Sequence, residues 1–266
     1  MTAKQRASAA LFRYVVTSGL FVMVGITTFT LLNMALYVKP GEFVRAALSH
    51  EIVHAVKLTA VTTTITTGIA VLLSVPAGYA LSRYRFPFHN LVDALVDLPI
   101  VLPPLIAGIA MLIFFGSPLG KWIEEHIMPF VYTTQGIILA QFVPAGSFCV
   151  RAMKAAYDGI DPRLEQVART LGCNERQAFQ RVTLPLARNG LIAGTIMTWC
   201  RAAGEFGPIL MFCGATRYKT EVLSIAVFLN MSIGQVEVAL SATILLVLMG
   251  VTALLLFRKL GGRGIW

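Results

Sequence analysis

Apolar runs of twenty or more residues recur along the whole length of this 266-residue chain, and no other feature narrows its possible folds so far. A backbone buried in hydrocarbon must satisfy its own polar groups, and about 20 apolar residues of α-helix cross a bilayer, so these runs read as membrane-spanning helices. Six are expected, at roughly 14–38, 56–82, 92–115, 131–152, 187–213 and 235–257. With 56% hydrophobic and only 13% charged residues, too little charge remains to cover a soluble domain. The fold class is therefore an all-α polytopic membrane protein, read as a single domain over residues 1–266. The first run follows Lys4, Arg6 and Arg13; it is too long for a signal-peptide core and is read as a retained span.

The net charge of +9 could point to nucleic acid, but its distribution argues for a membrane. With the N-terminus placed inside, fifteen Lys and Arg residues fall in inside segments, seven of them between Arg151 and Arg188, against six outside: Lys39, Arg45, Lys57, Lys121, Arg217 and Lys219. By the positive-inside rule both termini and the 153–186 loop face the cytoplasm, and no nucleic-acid partner is assigned. Cys149, Cys173, Cys200 and Cys213 form no C-x-x-C pair and read as small apolar residues. His50 and His54 flank Glu51 at i, i+4 but lack a third ligand at metal-site spacing, so no metal is assigned. Trp122 and Tyr132 suit interface anchors.

Between the fourth and fifth runs lies a polar, basic insert, Asp161–Leu186. Asp161-Pro162 is a helix start, with Asp as N-cap and Pro at the first helical position. Leu164, Val167, Ala168 and Leu171 then form one apolar stripe, and Gly172 is placed to end the helix in a left-handed conformation. Asn174 caps a second short helix that Leu184-Pro185 is expected to close. Two short helices meeting at a glycine make a rigid elbow, with Arg163, Arg169, Arg176 and Arg181 on its polar face.

Ionisable and polar groups inside spans need a reason, because each costs a few kcal/mol. Asp97, one turn beyond Asp93, reads as a structural partner for an arginine or as part of a gate. Arg201 and Glu205 are spaced to pair along the fifth span, where Gly204 and Gly207-Pro208 should break the helix. They fit a structural salt bridge or a place in a conduction path, since a broken helix frees N–H groups for an anion. Thr59, Thr62, Thr63 and Thr66 crowd the second span and fit either a hydroxyl-lined passage or close helix packing. Pro99, Pro103 and Pro104 should kink the third span.

The insert resembles the E-A-A-x3-G-x9-I-x-L-P loop of ABC-importer permeases. Aligned on Gly172, the E-A-A positions hold Gln166, Val167 and Ala168, with Glu165 one place early; Val182 takes the isoleucine position and Leu184-Pro185 the final pair. Val56–Pro87, Leu95–Gly116 and Arg201–Gly214 resemble the molybdate/tungstate branch, whose relatives carry sulfate. The resemblance implies a transport subunit, not an enzyme, with Asp161, Glu165, Gln166, Val167, Ala168, Arg169, Gly172, Leu184 and Pro185 coupling it to a cytoplasmic ATPase dimer. It further implies a homodimer in the inner membrane, an extracytoplasmic substrate-binding protein, and no cofactor on this chain. The sequence holds no G-x-x-x-x-G-K-[ST] motif, so ATP and Mg²⁺ belong to the partner. An ion-coupled secondary carrier would show internal repeats and several buried carboxylates, where this chain offers only Asp97 and Glu205.

Overall fold

A computed structural model describes the backbone of residues 3–261 and the side chains of residues 12–256. The N-terminal and C-terminal basic residues Lys4, Arg6, Arg258 and Lys259 lie outside the described side chains, and Arg263 outside the described residues altogether.

The described chain is helical throughout, without a strand. In order it forms α1 (Ala3–Tyr37), α2 (Pro40–Ala47), α3 (His50–Arg83), α4 (His89–Val101), α5 (Pro104–Gly116), α6 (Pro118–His126), α7 (Thr134–Asp158), α8 (Arg163–Thr170), α9 (Glu175–Ala178), a π-helical turn (Phe179–Thr183), α10 (Leu184–Ala203), α11 (Gly207–Phe212), α12 (Leu223–Ser232) and α13 (Val236–Gly261). Among the described residues α1, α3, α7 and α13 are long and apolar enough to cross a membrane, or five spans exist if the bent α4–α5 pair counts as one.

The count of six spans is thus not confirmed, and the expected runs appear with changed anatomy. The third is two helices at 111° to each other, because Pro103 holds an extended backbone and Pro104 restarts the helix. The fifth is α10, a break at Gly204–Phe206, and α11. The second starts at His50, so His50 and His54 sit on the first turns of α3; Ser49 caps it by accepting from Ile52 N–H. The apolar helix α12 and the short α2 and α6 were not expected.

One expectation fails on its physical reasoning. Leu184-Pro185 does not close the second elbow helix. Leu184 is helical (φ −62°, ψ −44°), and α9, the π turn and α10 run on as one rod. The widened turn explains how: a proline ring in a regular helix collides with the carbonyl four residues back, and a π turn relieves that crowding.

The centre of the bundle is α7, packed against α3 and α10 through small residues. A Cβ on Gly78 would lie 2.7 Å from Met153 Cβ, and one on Gly194 would lie 2.7 Å from Ala152 Cβ. Lipid offers no hydrophobic drive between helices, so such close backbone approach supplies the dispersion contacts that hold them. Cys149, Met153 and Tyr157 of α7 are fully buried there with Tyr79 of α3. No residue of the apolar window Phe12–Tyr37 in α1 is buried.

Candidate functional site

The elbow between α7 and α10 is built as its caps demand. Asp161 Oδ1 accepts from Arg163 N–H at 2.9 Å and its carbonyl from Leu164 N–H at 3.1 Å, which makes it the effective cap although it lies two residues before Arg163, the first residue of α8. Gly172 has φ +93°, and the Cys173 N–H returns to the Ala168 carbonyl at 3.1 Å, so the glycine ends α8 in the left-handed region as expected. Asn174 forms a reciprocal capping box with Gln177, each side chain receiving the other's N–H at 2.9 Å. Gln177 had not been singled out from the sequence.

The apolar stripe of α8 does not face the bundle. Only Ala168 is buried; Leu164 is 46% exposed, Val167 56% and Leu171 81%. Gln166 and Arg169 are exposed as well, Leu184 half-buried and Pro185 exposed. An eight-residue helix with its apolar side chains in the open needs another source of rigidity. Polar bonds supply it. Glu165 accepts from Arg83 Nε and from the Tyr79 hydroxyl, both at 2.8 Å, with both members of the ion pair largely buried. Burial opposes ionisation of Glu165, but the hydrogen bonds from Arg83 and Tyr79 outweigh it and hold the carboxyl below the usual glutamate range. Tyr84 donates to Glu175 at 2.7 Å, and that bond, with burial, pushes the Tyr84 phenol up. Arg83, Tyr79 and Tyr84 were missed because they lie some eighty residues upstream of the loop, at the end of α3.

The threonine row packs inside the protomer. Thr59, Thr62, Thr63 and Thr66 are all fully buried. Thr66 donates to Gln141 Oε1 on α7 at 3.0 Å, Gln141 Nε2 reaches Thr63 at 3.4 Å, and Thr62 bonds back to the Leu58 carbonyl at 2.9 Å. Thr59 donates to the Ala55 carbonyl and accepts the first N–H of α12, from Leu223, at 2.8 Å. The hydroxyls are spent on α3, α7 and α12.

Arg201 and Glu205 do pair, across the break between α10 and α11. Glu205 is 2% exposed, while the Arg201 side chain is 31% exposed and lies over the Phe148 ring at 5.7 Å. The Glu205 carbonyl, freed by the break, accepts from Ser224 at 2.7 Å. Asp97 also finds its arginine: Arg151 of α7 binds Asp97 and, at 2.6 Å, Asp93. Among the described residues no cluster of three metal-ligating side chains occurs.

Comparison with known proteins decides the family. The model for the binding-protein-dependent transport system inner membrane component matches residues 70–263, across the elbow and the broken helix. The chain belongs to that family. This ABC-importer permease is 36% identical over 222 residues to the "Probable molybdenum ABC transporter permease protein" of Haloferax volcanii, covering 81% of this chain and 80% of the relative. It is 33% identical over 181 residues to the sulfate transport system permease protein CysT of Escherichia coli, covering 67% and 65%. It is 36% identical over 160 residues to the molybdate/tungstate transport system permease protein of Thermococcus kodakarensis, covering 60% of each. Among solved structures it shares its fold with a bacterial alginate ABC transporter (TM-score 0.72, 18% identity, 98% and 96% covered) and with the MetNI methionine ABC transporter (0.65, 20%, 82% and 100%). The permease is a multi-pass membrane protein and a transport subunit, not an enzyme.

Proposed function

We propose that this permease is the membrane subunit of an ATP-driven importer of a small tetrahedral oxyanion, molybdate or tungstate first and sulfate second. The observation that carries the importer mechanism is the elbow: a capped helix outside the spans, pinned by polar bonds, that holds Leu164, Val167 and Leu171 out into solvent. Exposed apolar side chains on a rigid helix are what a groove on a partner needs. The oxyanion is supported by relatives named for molybdenum and molybdate/tungstate; the sulfate alternative is favoured by CysT.

In this reading the elbow and both termini lie in the cytoplasm of a cell whose inner membrane holds the spans, as the charge asymmetry requires. A cytoplasmic ATPase dimer supplies ATP and Mg²⁺ chemistry, and an extracytoplasmic binding protein delivers the ion. One elbow per chain and two ATPase subunits call for a homodimer, with the passage at its two-fold interface. ATP-driven closure of the ATPases draws the two elbows together and turns each bundle. Arg201, half-exposed beside a helix break and steadied by the buried Glu205, is the cation placed to meet an anion in transit.

The test is to co-express the chain with a candidate ATPase and binding protein, capture the complex, and measure uptake of labelled molybdate and sulfate into proteoliposomes. Co-purification and ATP-dependent molybdate uptake are expected. ATP-dependent sulfate uptake with none of molybdate moves the chain to the second substrate; uptake driven by an ion gradient without an ATPase overturns the reading.

A further inference from the structure

We infer that Arg83 is a positioning residue that ties the elbow to the bundle, so that displacement of α8 reaches both α3 and α7 through its guanidinium. The inference rests on the importer reading above. Arg83 is the last residue of α3. Its Nε donates to Glu165 of α8 at 2.8 Å, and one terminal nitrogen donates to the Tyr157 carbonyl of α7 at 3.0 Å and to the Ile160 carbonyl beyond it at 2.8 Å. The other terminal nitrogen reaches Ser82 at 3.1 Å. The last carbonyls of a helix have no partners within it, so the guanidinium answers a need of α7 and a need of α8 at once. A planar fork of fixed geometry does this; an ammonium cannot.

Few other contacts join α8 to the bundle. Its apolar stripe is exposed save for Ala168, so a pull on the helix would slide it if apolar contact were the only restraint. The Arg83–Glu165 pair is 9% and 12% exposed, little screened, and braced by Tyr79 on the same carboxylate. Glu165 stands one place before the motif's glutamate position. The residue at that position, Gln166, is exposed, so the acid of this elbow is turned inward to the permease and not out toward a partner.

The experiment uses the assembled transporter, with Arg83→Met, Glu165→Gln and the double variant. It measures ATPase capture by the purified permease and oxyanion uptake per ATP hydrolysed. All variants should capture the ATPase, since Leu164, Val167 and Leu171 are unchanged and Glu165 is spent on Arg83 and Tyr79 within the permease, not on the docking face. Each single change should lower uptake per ATP about tenfold, and the double change should fall well short of the hundredfold product, because the two residues share the Arg83–Glu165 bond while Tyr79 on Glu165 and the carbonyls on Arg83 are separate. Arg83→Lys should not restore the ratio. A wild-type ratio in Arg83→Met, or losses that multiply to about a hundredfold in the double variant, overturns the inference while leaving the importer reading intact. If Arg83→Met fails to fold, the isosteric Glu165→Gln decides alone, and a wild-type ratio there overturns the inference. A wild-type chain that captures no ATPase sinks the importer reading itself.

Discussion

Gly172 offers a test in which backbone strain can be separated from bulk. It sits at φ +93°, where residues with a Cβ are strained, and a Cβ built there meets nothing within 4 Å. Replacement therefore costs conformational energy without a clash inside the permease, about 1–2 kcal/mol for an ordinary L-residue. A strain of that size shifts the population of the native corner about 5–30-fold. The corner joins α8 to α9, so Glu165 of α8 should leave its partners Arg83 and Tyr79 for part of the time. Asn and Val are similar in volume, but Asn tolerates positive φ and a β-branched residue does not. Gly172→Asn should keep most of the uptake per ATP in proteoliposomes, and Gly172→Val should lose about tenfold, with both proteins extracted from the membrane in equal yield. Equal losses in the two variants would assign the effect to bulk against the docked ATPase. Normal uptake in Gly172→Val refutes the elbow as a transmitter.

Other consequences follow from the same geometry. Leu171→Asp puts a charge on the most exposed apolar side chain of the elbow, and ATPase capture should fall without change in the permease's thermal stability; a leucine fully buried at an interface is worth about 1.5–3 kcal/mol. The folded-state value of Glu165 lies below its unfolded value, so its contribution is present above the usual glutamate range, about 4.3, and is lost as pH falls through the depressed value. Thermal melts should show acid destabilisation below that range, flattened in Glu165→Gln. Gly207→Ala would press a Cβ to 2.8 Å from Pro104 Cβ and 3.0 Å from the Leu105 nitrogen, so melting should drop where α11 crosses α5. Arg201→Met leaves Glu205 buried and unpaired; a stability loss of about 3 kcal/mol is expected, read as lower melting temperature in detergent, with Arg201→Lys in between.

Local signals were read well where the chain itself supplied both partners. Asp161, Asn174 and Gly172 announce caps and a positive φ within a few residues, and the structure places all three in those conformations. Arg201 and Glu205 pair at helical spacing, and the glycines beside them break the helix. What the sequence left open, and what failed, depends on distant contacts. The threonine spacing allowed a passage, but only the approach of Gln141 from α7 and of Leu223 from α12 shows where the hydroxyls go. Leu184-Pro185 reads as a stop because the rule for the residue before proline is statistical, and a π turn is invisible in a pattern of apolar spacing. Arg83 reads as an inside-facing charge from its sequence alone, and its bonds to two other helices require the folded chain.

Polarity in this bundle is divided in a way that bears on where an ion could travel. Inside the protomer, the α3–α7 seam is closed: Thr63, Thr66 and Gln141 are fully buried and bonded to one another. A passage there would have to break those bonds at each passing ion, with each unpaired buried group costing about 1–3 kcal/mol. Arg201, in the fifth span, keeps its side chain 31% exposed although its acid partner is 2% exposed. An arginine facing hydrocarbon would be costly, so its open side must meet either a second protein surface or water. The proposed interface between two copies of the permease would supply both, and the closed seam supplies neither. Arg201→Cys should accordingly react with a water-soluble thiol reagent in the assembled transporter, and Thr63→Cys should not; equal labelling of the two would refute the division.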